Sequence, residues 1–276
     1  MFSGEIIIPS VALQPFVHHY WILKTCQTSM SQLIMPMACL KWMFHRKRPF
    51  EIDGKAEDSM KATIVGIYDK AIQIHSDEDI ELIIVFFKPY AAKAILNIPC
   101  QEFARQNIDL DDIGNIEFHD LKNRILDAAT SEECIGIIED FILRQLIKNE
   151  DNVYMKPLAK VFAQMNANPE ARIEELAGVA CLSERQFRRV FTDHVGMRPK
   201  QIQRLQRFQQ ATKELLSAEG ENLEPLLCKY GYTDHSHFNH EFHEIARISP
   251  TQYIEMLKQT RKEGTIKAYR SYYNPE

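Results

Sequence analysis

Residues 176–191 read LAGVACLSERQFRRVF, and this stretch decides the fold of the C-terminal half. Ile173, Leu176, Ala177 and Ala180 fall at i, i+3, i+4 and i+7, one face of a short helix. Cys181-Leu182 makes a tight connection. Ser183, followed by Gln186 three residues on, forms a capping box that starts a second helix. On that helix Phe187, Val190 and Phe191 share one side, and Arg185, Arg188 and Arg189 lie opposite them. One side packs; the other is a guanidinium stripe. An arginine can pair with the O6 and N7 edge of guanine in the major groove, or with phosphate. Taken alone, the stripe also fits the solvated basic face of an ordinary helical hairpin. Gly196 ends the helix and Pro199 restarts the chain.

A second unit weakens the ordinary reading. Residues 231–242 read GYTDHSHFNHEF. A short helix is expected over Leu223 to Tyr230, with Gly231 as a left-handed turn residue and Asp234 as the cap of the next helix. Phe238, Phe242 and Ile245 form its apolar face. Ser236, His240 and His243 lie opposite, flanked by His237 and Asn239. Phe187 and Phe238, Phe191 and Phe242, Gly196 and Arg247, and Pro199 and Pro250 each stand 51 residues apart. A constant offset across several landmarks is an internal repeat. Between the units, Lys200 to Ser217 reads as one helix of about 27 Å at 1.5 Å per residue. A rigid spacer of that length suits two recognition helices about 34 Å apart, one turn of DNA.

On these residues, together with G-x-R-P at Gly196–Pro199 and SPTQY at Ser249–Tyr253, the segment Arg172 to Tyr253 resembles the AraC/XylS family of bacterial transcription regulators. The resemblance implies a DNA-binding module that enters two successive major grooves on one face of a duplex. It places Arg185, Gln186, Arg188 and Arg189 on the first recognition helix, and His235, Ser236, Asn239 and His240 on the second. The chain departs from the family at three positions: His240 where a basic residue is usual, Arg247 where glycine is usual, and Leu227 where a small residue is preferred. The second unit is therefore expected to pack differently and to bind more weakly.

The first half reads as mixed α and β. Ile64 to Gly66, Ala71 to Ile74 and Ile80 to Phe87 are short β-branched runs bounded by polar clusters. Pro89 opens a helix over Tyr90 to Leu96. Thr130 and Glu133 form a capping box before the amphipathic run Ile135 to Leu146, and a further helix is expected over Val153 to Met165. The region Ser131 to Met165 is expected to form a helix pair, either within the first domain or as the seam of a dimer. PSVALQPFVHHYW at Pro9–Trp21, IVGIYDKAIQIH at Ile64–His75, and the stretch Phe87 to Asp112 resemble the sensor-like domain that precedes this module in many regulators. The run His18-His19-Tyr20-Trp21, with Trp42 and His45, could line a ligand pocket, although ordinary core packing is the stronger reading.

Charge divides the chain as well. The net charge is −5 overall. Up to Lys156 there are 16 Lys and Arg against 23 Asp and Glu, a balance of −7; beyond it there are 17 against 15, or +2. No apolar run approaches the roughly 20 residues of a membrane span. The six cysteines are scattered and form no CxxC pair. With no leader pattern at the N-terminus, the chain reads as reduced and cytoplasmic. No phosphate-binding glycine loop, nucleophile–base–acid order or HExxH is present. The reading is therefore non-enzymatic, without cofactor and without metal, even at the cluster His235, His237, His240 and His243.

The fold expected is an α+β N-terminal domain followed by an all-α domain with two helix-turn-helix units joined by a long helix. The expected boundaries are 1–152 for a sensor- or dimerisation-like domain, 153–260 for the DNA-binding domain, and 261–276 for a tail. The expected function is sequence-specific regulation of transcription on double-stranded DNA, controlled by the N-terminal domain. RNA polymerase, a second copy of the chain and a small-molecule effector are further candidate partners. The rival reading makes the N-terminal half a protein-docking or dimerising module with no small ligand. An enclosed, partly polar pocket would favour the sensor; a filled core with an exposed apolar patch would favour docking.

Overall fold

The run Ile80–Phe87, apolar but for Glu81, marks a strand covered on both faces, and the computed structural model builds the N-terminal domain around it. The structure describes residues 2–26, 29–55, 60–149, 153–217, 227 and 229–262. The strands are β1 (Phe2–Ile7), β2 (Val17–Thr25), β3 (Met30–Ile34), β4 (Lys41–His45), β5 (Glu51–Ile52), β6 (Ala62–Val65), β7 (Ile72–Ser76), β8 (Glu81–Phe87) and β9 (Asn107–Asp109). They form a six-stranded sheet in the order β1-β2-β8-β4-β6-β9 and a three-stranded sheet in the order β3-β7-β5. Every pairing is antiparallel. On β8, Ile83, Val85 and Phe87 face one core, and Leu82, Ile84 and Phe86 face another against Met30 and Ile74. Two-sided burial is why β8 reads as a continuous apolar run rather than an alternating one.

Helices cover the first face. They are α1 (Ala92–Leu96), α2 (Ile116–Asp127) and α3 (Ser131–Lys148). Trp42 is the centre of that face, with its ring 5.0 Å from Phe87, 6.0 Å from Phe118 and 5.8 Å from Phe141. Half of the capping box expected at the start of α3 forms: Thr130 Oγ1 accepts from Glu133 N at 3.1 Å, but the Glu133 carboxylate accepts from Ala129 N at 2.8 Å, one residue before the cap, and not from Thr130 N. The helix pair expected over Ser131 to Met165 is not the packing found: α3 packs chiefly on α2 and α1, which precede that region. Ile138 and Phe141 are buried in the domain core and so cannot form a seam with a second chain. Apolar periodicity showed that this face is buried; it could not show against what.

The second half is helical: α4 (Met155–Ala167), α5 (Ile173–Val179), α6 (Glu184–Val195), α7 (Pro199–Ser217), α8 (His235–Ala246) and α9 (Pro250–Lys262). The short helix expected over Leu223 to Tyr230 lies largely outside the described residues, as does the tail beyond Lys262. The first unit does not hang on a tether. One apolar cluster runs from β2 and β4 through α2 and α3 to Phe162, Phe187, Phe191 and Leu205. Phe162 stacks on Phe191 at 5.6 Å, and Tyr90 meets Phe162 at 5.9 Å. Gly196, with φ of +96°, lies so close to the 3-10 turn Cys100–Phe103 that a Cβ there would sit 2.7 Å from the Cys100 carbonyl oxygen. Lys93 of α1 pairs with Asp193 of α6 across the same seam.

Buried polar groups sit at the edges of the inter-sheet core. His19 stacks on Phe86 at 4.3 Å, and His18 Nδ1 lies 2.9 Å from His19 Nδ1. Burial, then the neighbouring His18 and Lys88, depress His19 from 6.5 to about 3; burial alone depresses His45 to about 4. Both are therefore neutral in the fold at pH 7. Tyr20, Trp21, Trp42 and His45 are buried, as core packing requires. The cavity at the His45 end, lined by Met43, Phe50, Thr63 and Val65 among others, holds about 20 Å³, room for about one water.

Two predictions follow from this packing. Gly196→Ala combines a strained φ with a backbone clash, and should cost about 1–3 kcal/mol of folding stability. Chemical denaturation measures it, and an unchanged midpoint would contradict the close approach. Separately, the unfolded chain binds protons at His19 and His45 below pH 6.5 that the folded chain does not. Stability should therefore be full above pH 6.5 and fall as pH drops towards 4, by about 1.4 kcal/mol per pH unit for each histidine. Unfolding free energies at pH 7 and pH 5 should differ, and His45→Gln should reduce that difference. A flat profile in the wild type would contradict it.

Candidate nucleic-acid interface

The first unit starts where Arg172 gives way to α5, whose Ile173, Leu176 and Ala177 are buried. Leu182 N donates to Ala177 O at 3.0 Å, closing the turn. Cys181 takes φ of +56° there, a left-handed position held by a residue other than glycine. Ser183 Oγ then accepts from Gln186 N at 3.4 Å, and Gln186 Oε1 accepts from Ser183 N at 3.2 Å. This reciprocal cap satisfies two donors at the start of α6. Phe187, Val190, Phe191 and Val195 are buried, whereas Arg185, Gln186, Arg188 and Arg189 are all exposed. Arg188 makes an exposed i,i+4 pair with Glu184 at 3.1 Å. A pair of this kind contributes about 0.3–0.5 kcal/mol, little enough to be exchanged for a phosphate or a base. The Gln186 side-chain oxygen serves the cap, a duty the spacing already indicated.

The second unit repeats the plan with different anchoring. Gly231 has φ of +72°, and Asp234 Oδ1 accepts from His237 N at 2.8 Å to cap α8. Phe238, Phe242 and Ile245 are buried; His235, Ser236, Asn239 and His240 are exposed. The N-terminal domain covers neither set of expected reading residues. His237 Nδ1 lies 3.0 Å from Thr233 Oγ1. Among the described residues, no group of three or more His, Cys, Asp or Glu is arranged to hold a metal ion.

Glu241 was not among the residues singled out from the sequence, yet it organises this unit. It is 4% exposed and sits on the apolar side of α8. Its Oε2 accepts from Arg204 Nε at 3.1 Å and from an Arg207 guanidinium nitrogen at 2.7 Å, and its Oε1 accepts from the Tyr232 hydroxyl at 2.8 Å. Arg207 also lies over the Tyr232 ring, 4.9 Å from its centroid. A buried carboxylate is tolerated only when paired and hydrogen-bonded in this way. The network ties α8 to the linker helix α7 and engages two of the linker's arginines, Arg207 mostly buried and Arg204 part-exposed. The signal was present in the sequence: Glu241 falls between Phe238 and Phe242, where a charge demands a partner.

Residues 176–256 match the family described as "Helix-turn-helix domain". Residues 5–109 match "Domain of unknown function (DUF6597)". Over 135 residues the chain is 33% identical to an uncharacterized HTH-type transcriptional regulator of Haemophilus influenzae, an alignment covering 47% of this chain and 44% of that protein. The chain thus spans less than half the length of that curated relative. ToxT from Vibrio cholerae, in a 1.65 Å structure, aligns at a TM-score of 0.46 and 11% identity over 92% of this chain and 98% of its own. ToxT from strain O395 aligns at 0.46 and 11%, over 93% and 98%. The helix-turn-helix match thus falls on the helical region that holds α5 to α9, and the DUF6597 match falls on the strands that precede it.

Proposed function

We propose that this chain is a sequence-specific transcription regulator that reads double-stranded DNA by laying α6 and α8 in two successive major grooves. In this reading residues 1–152 control the reader and 153–260 carry it. Arg185, Gln186, Arg188 and Arg189 serve the first groove, and His235, Ser236, Asn239 and His240 the second. The observation that carries the reading is the two-sidedness of α6: three arginines and a glutamine exposed above a buried layer of Phe187, Val190 and Phe191. Arginine supplies both phosphate neutralisation and bidentate recognition of guanine. The second face offers imidazole and amide groups, which donate or accept at base edges but carry less fixed charge. The first half-site should therefore dominate affinity.

The test begins with duplexes recovered from random-sequence DNA by repeated selection on the full-length protein. Arg188→Ala and Arg189→Ala should each cost about 1–3 kcal/mol of binding where the arginine reads a base, and should relax preference at one base pair. A loss equal on selected and random duplexes assigns that arginine to phosphate. With about six phosphates contacted, affinity should fall on the order of 10³-fold between 50 and 200 mM salt. Phe187→Ala should instead lower folding stability by about 3–5 kcal/mol, because it leaves a cavity under α6. If selection enriches no duplex, or binding is insensitive to salt, the reading fails.

A further inference from the structure

Arg247 follows α8 with φ of +64°, a left-handed position that glycine fills at lower cost. Its side chain accounts for its presence. An Arg247 guanidinium nitrogen donates to Asp53 Oδ2 at 3.1 Å, 194 residues away in the N-terminal domain. Asp53 follows β5 and is itself left-handed, with φ of +46°; its Oδ1 accepts from Gln73 N at 2.9 Å, which fixes the carboxylate against β7. One step inside the helix end, Ala71 N donates to Ile245 O at 2.7 Å, so a backbone amide of the first domain satisfies a C-terminal carbonyl of α8. Gln209 of α7 donates to Pro36 O at 3.1 Å. Around these bonds Leu33, Met35 and Ala71 pack into a small apolar cluster with Phe208, Phe242 and Ile245, separate from the main core.

On this geometry, and resting on the DNA-reading function proposed above, we infer that Arg247 is a positioning residue. It clamps the C-terminal end of the second recognition helix to the β5–β7 edge of the N-terminal domain, so that this domain sets the angle at which α8 meets its groove. The clamp orients rather than masks, because His235, Ser236, Asn239 and His240 stay exposed while it is closed. The two units are held differently. The first is continuous with the N-terminal core and cannot turn without breaking it. The second is held by a half-exposed ion pair, two hydrogen bonds and a satellite cluster. Control by the N-terminal domain therefore acts on the second half-site and spares the first.

The test uses the full chain in two arms. In the first, hydroxyl-radical footprints on a selected duplex are resolved over the two halves of the site. Arg247→Gly removes the side chain and relieves the backbone. Asp53→Asn removes the anionic partner but keeps a side-chain oxygen for Gln73 and a residue that tolerates a left-handed φ. Each should raise the concentration needed to protect the second half about two- to five-fold, the range of one partly exposed ion pair, and leave the first half unchanged. The double variant should be no weaker than either single one, since both remove one interaction, and Arg247→Lys should restore most of the protection. In the second arm, without DNA, amide hydrogen exchange at the C-terminal end of α8 should be faster in both single variants. Equal loss on both halves, additive losses, or unchanged exchange would overturn the clamp. Faster exchange with no duplex recovered would instead overturn the DNA reading, and the half-site claim with it.

Discussion

The backbone of Gly196 against the carbonyl of Cys100 is the contact on which the rest of the arrangement depends. Only a residue without Cβ allows α6 to end there. Because it ends there, Phe191 reaches Phe162, and Asp193 reaches Lys93. The apolar layer beneath α6 is thereby continuous with the N-terminal core. The exposed arginines of α6 are thus presented by a surface whose far side is the sheet around Trp42. Interiors of this density transmit displacement instead of absorbing it.

The second unit works by a different balance. Its core contains Phe208, Phe238, Phe242 and Tyr253, and it meets the N-terminal domain through three apolar residues and a handful of polar bonds. Internal order comes from Glu241, which draws Arg204 and Arg207 of the linker helix onto α8. A buried ion network contributes little net stability, because desolvation offsets most of the attraction, but it penalises misplacement heavily. α8 is therefore fixed firmly to α7 and more loosely to the first domain.

Much of this was legible in the sequence, for reasons that can be stated residue by residue. The faces of α6 and α8, both caps and the turn glycines Gly196 and Gly231 follow from local spacing, since short-range sterics and hydrogen bonds decide them. β8 was legible because two-sided burial leaves an uninterrupted apolar run. β3, with its polar Ser31 and Gln32, and the three-residue β9 carry too few alternating positions to stand out. The left-handed Cys181 gave no signal, because glycine is the residue that marks such turns. Arg247 was noticed only as a departure that should weaken the second unit. Its partner Asp53 lies 194 residues earlier, and no local pattern connects the two. The helix-pair expectation for α3 shows the same limit: Ile138 and Phe141 signal burial, but only the fold reveals that Trp42 and Phe118 receive the Phe141 ring.

The central claim is that the N-terminal domain and the first helix-turn-helix unit form one cooperative body. Both tryptophans of the chain, Trp21 and Trp42, lie in the N-terminal domain, while most of the described helical residues lie beyond Met155. Equilibrium unfolding in denaturant, followed at once by tryptophan fluorescence and by the far-ultraviolet helix signal, reads the two parts separately. A shared core predicts coincident transitions with a single midpoint. Two separated transitions, with the helix signal and the tryptophan signal changing at different denaturant concentrations, would show that the domains fold independently and would contradict the account.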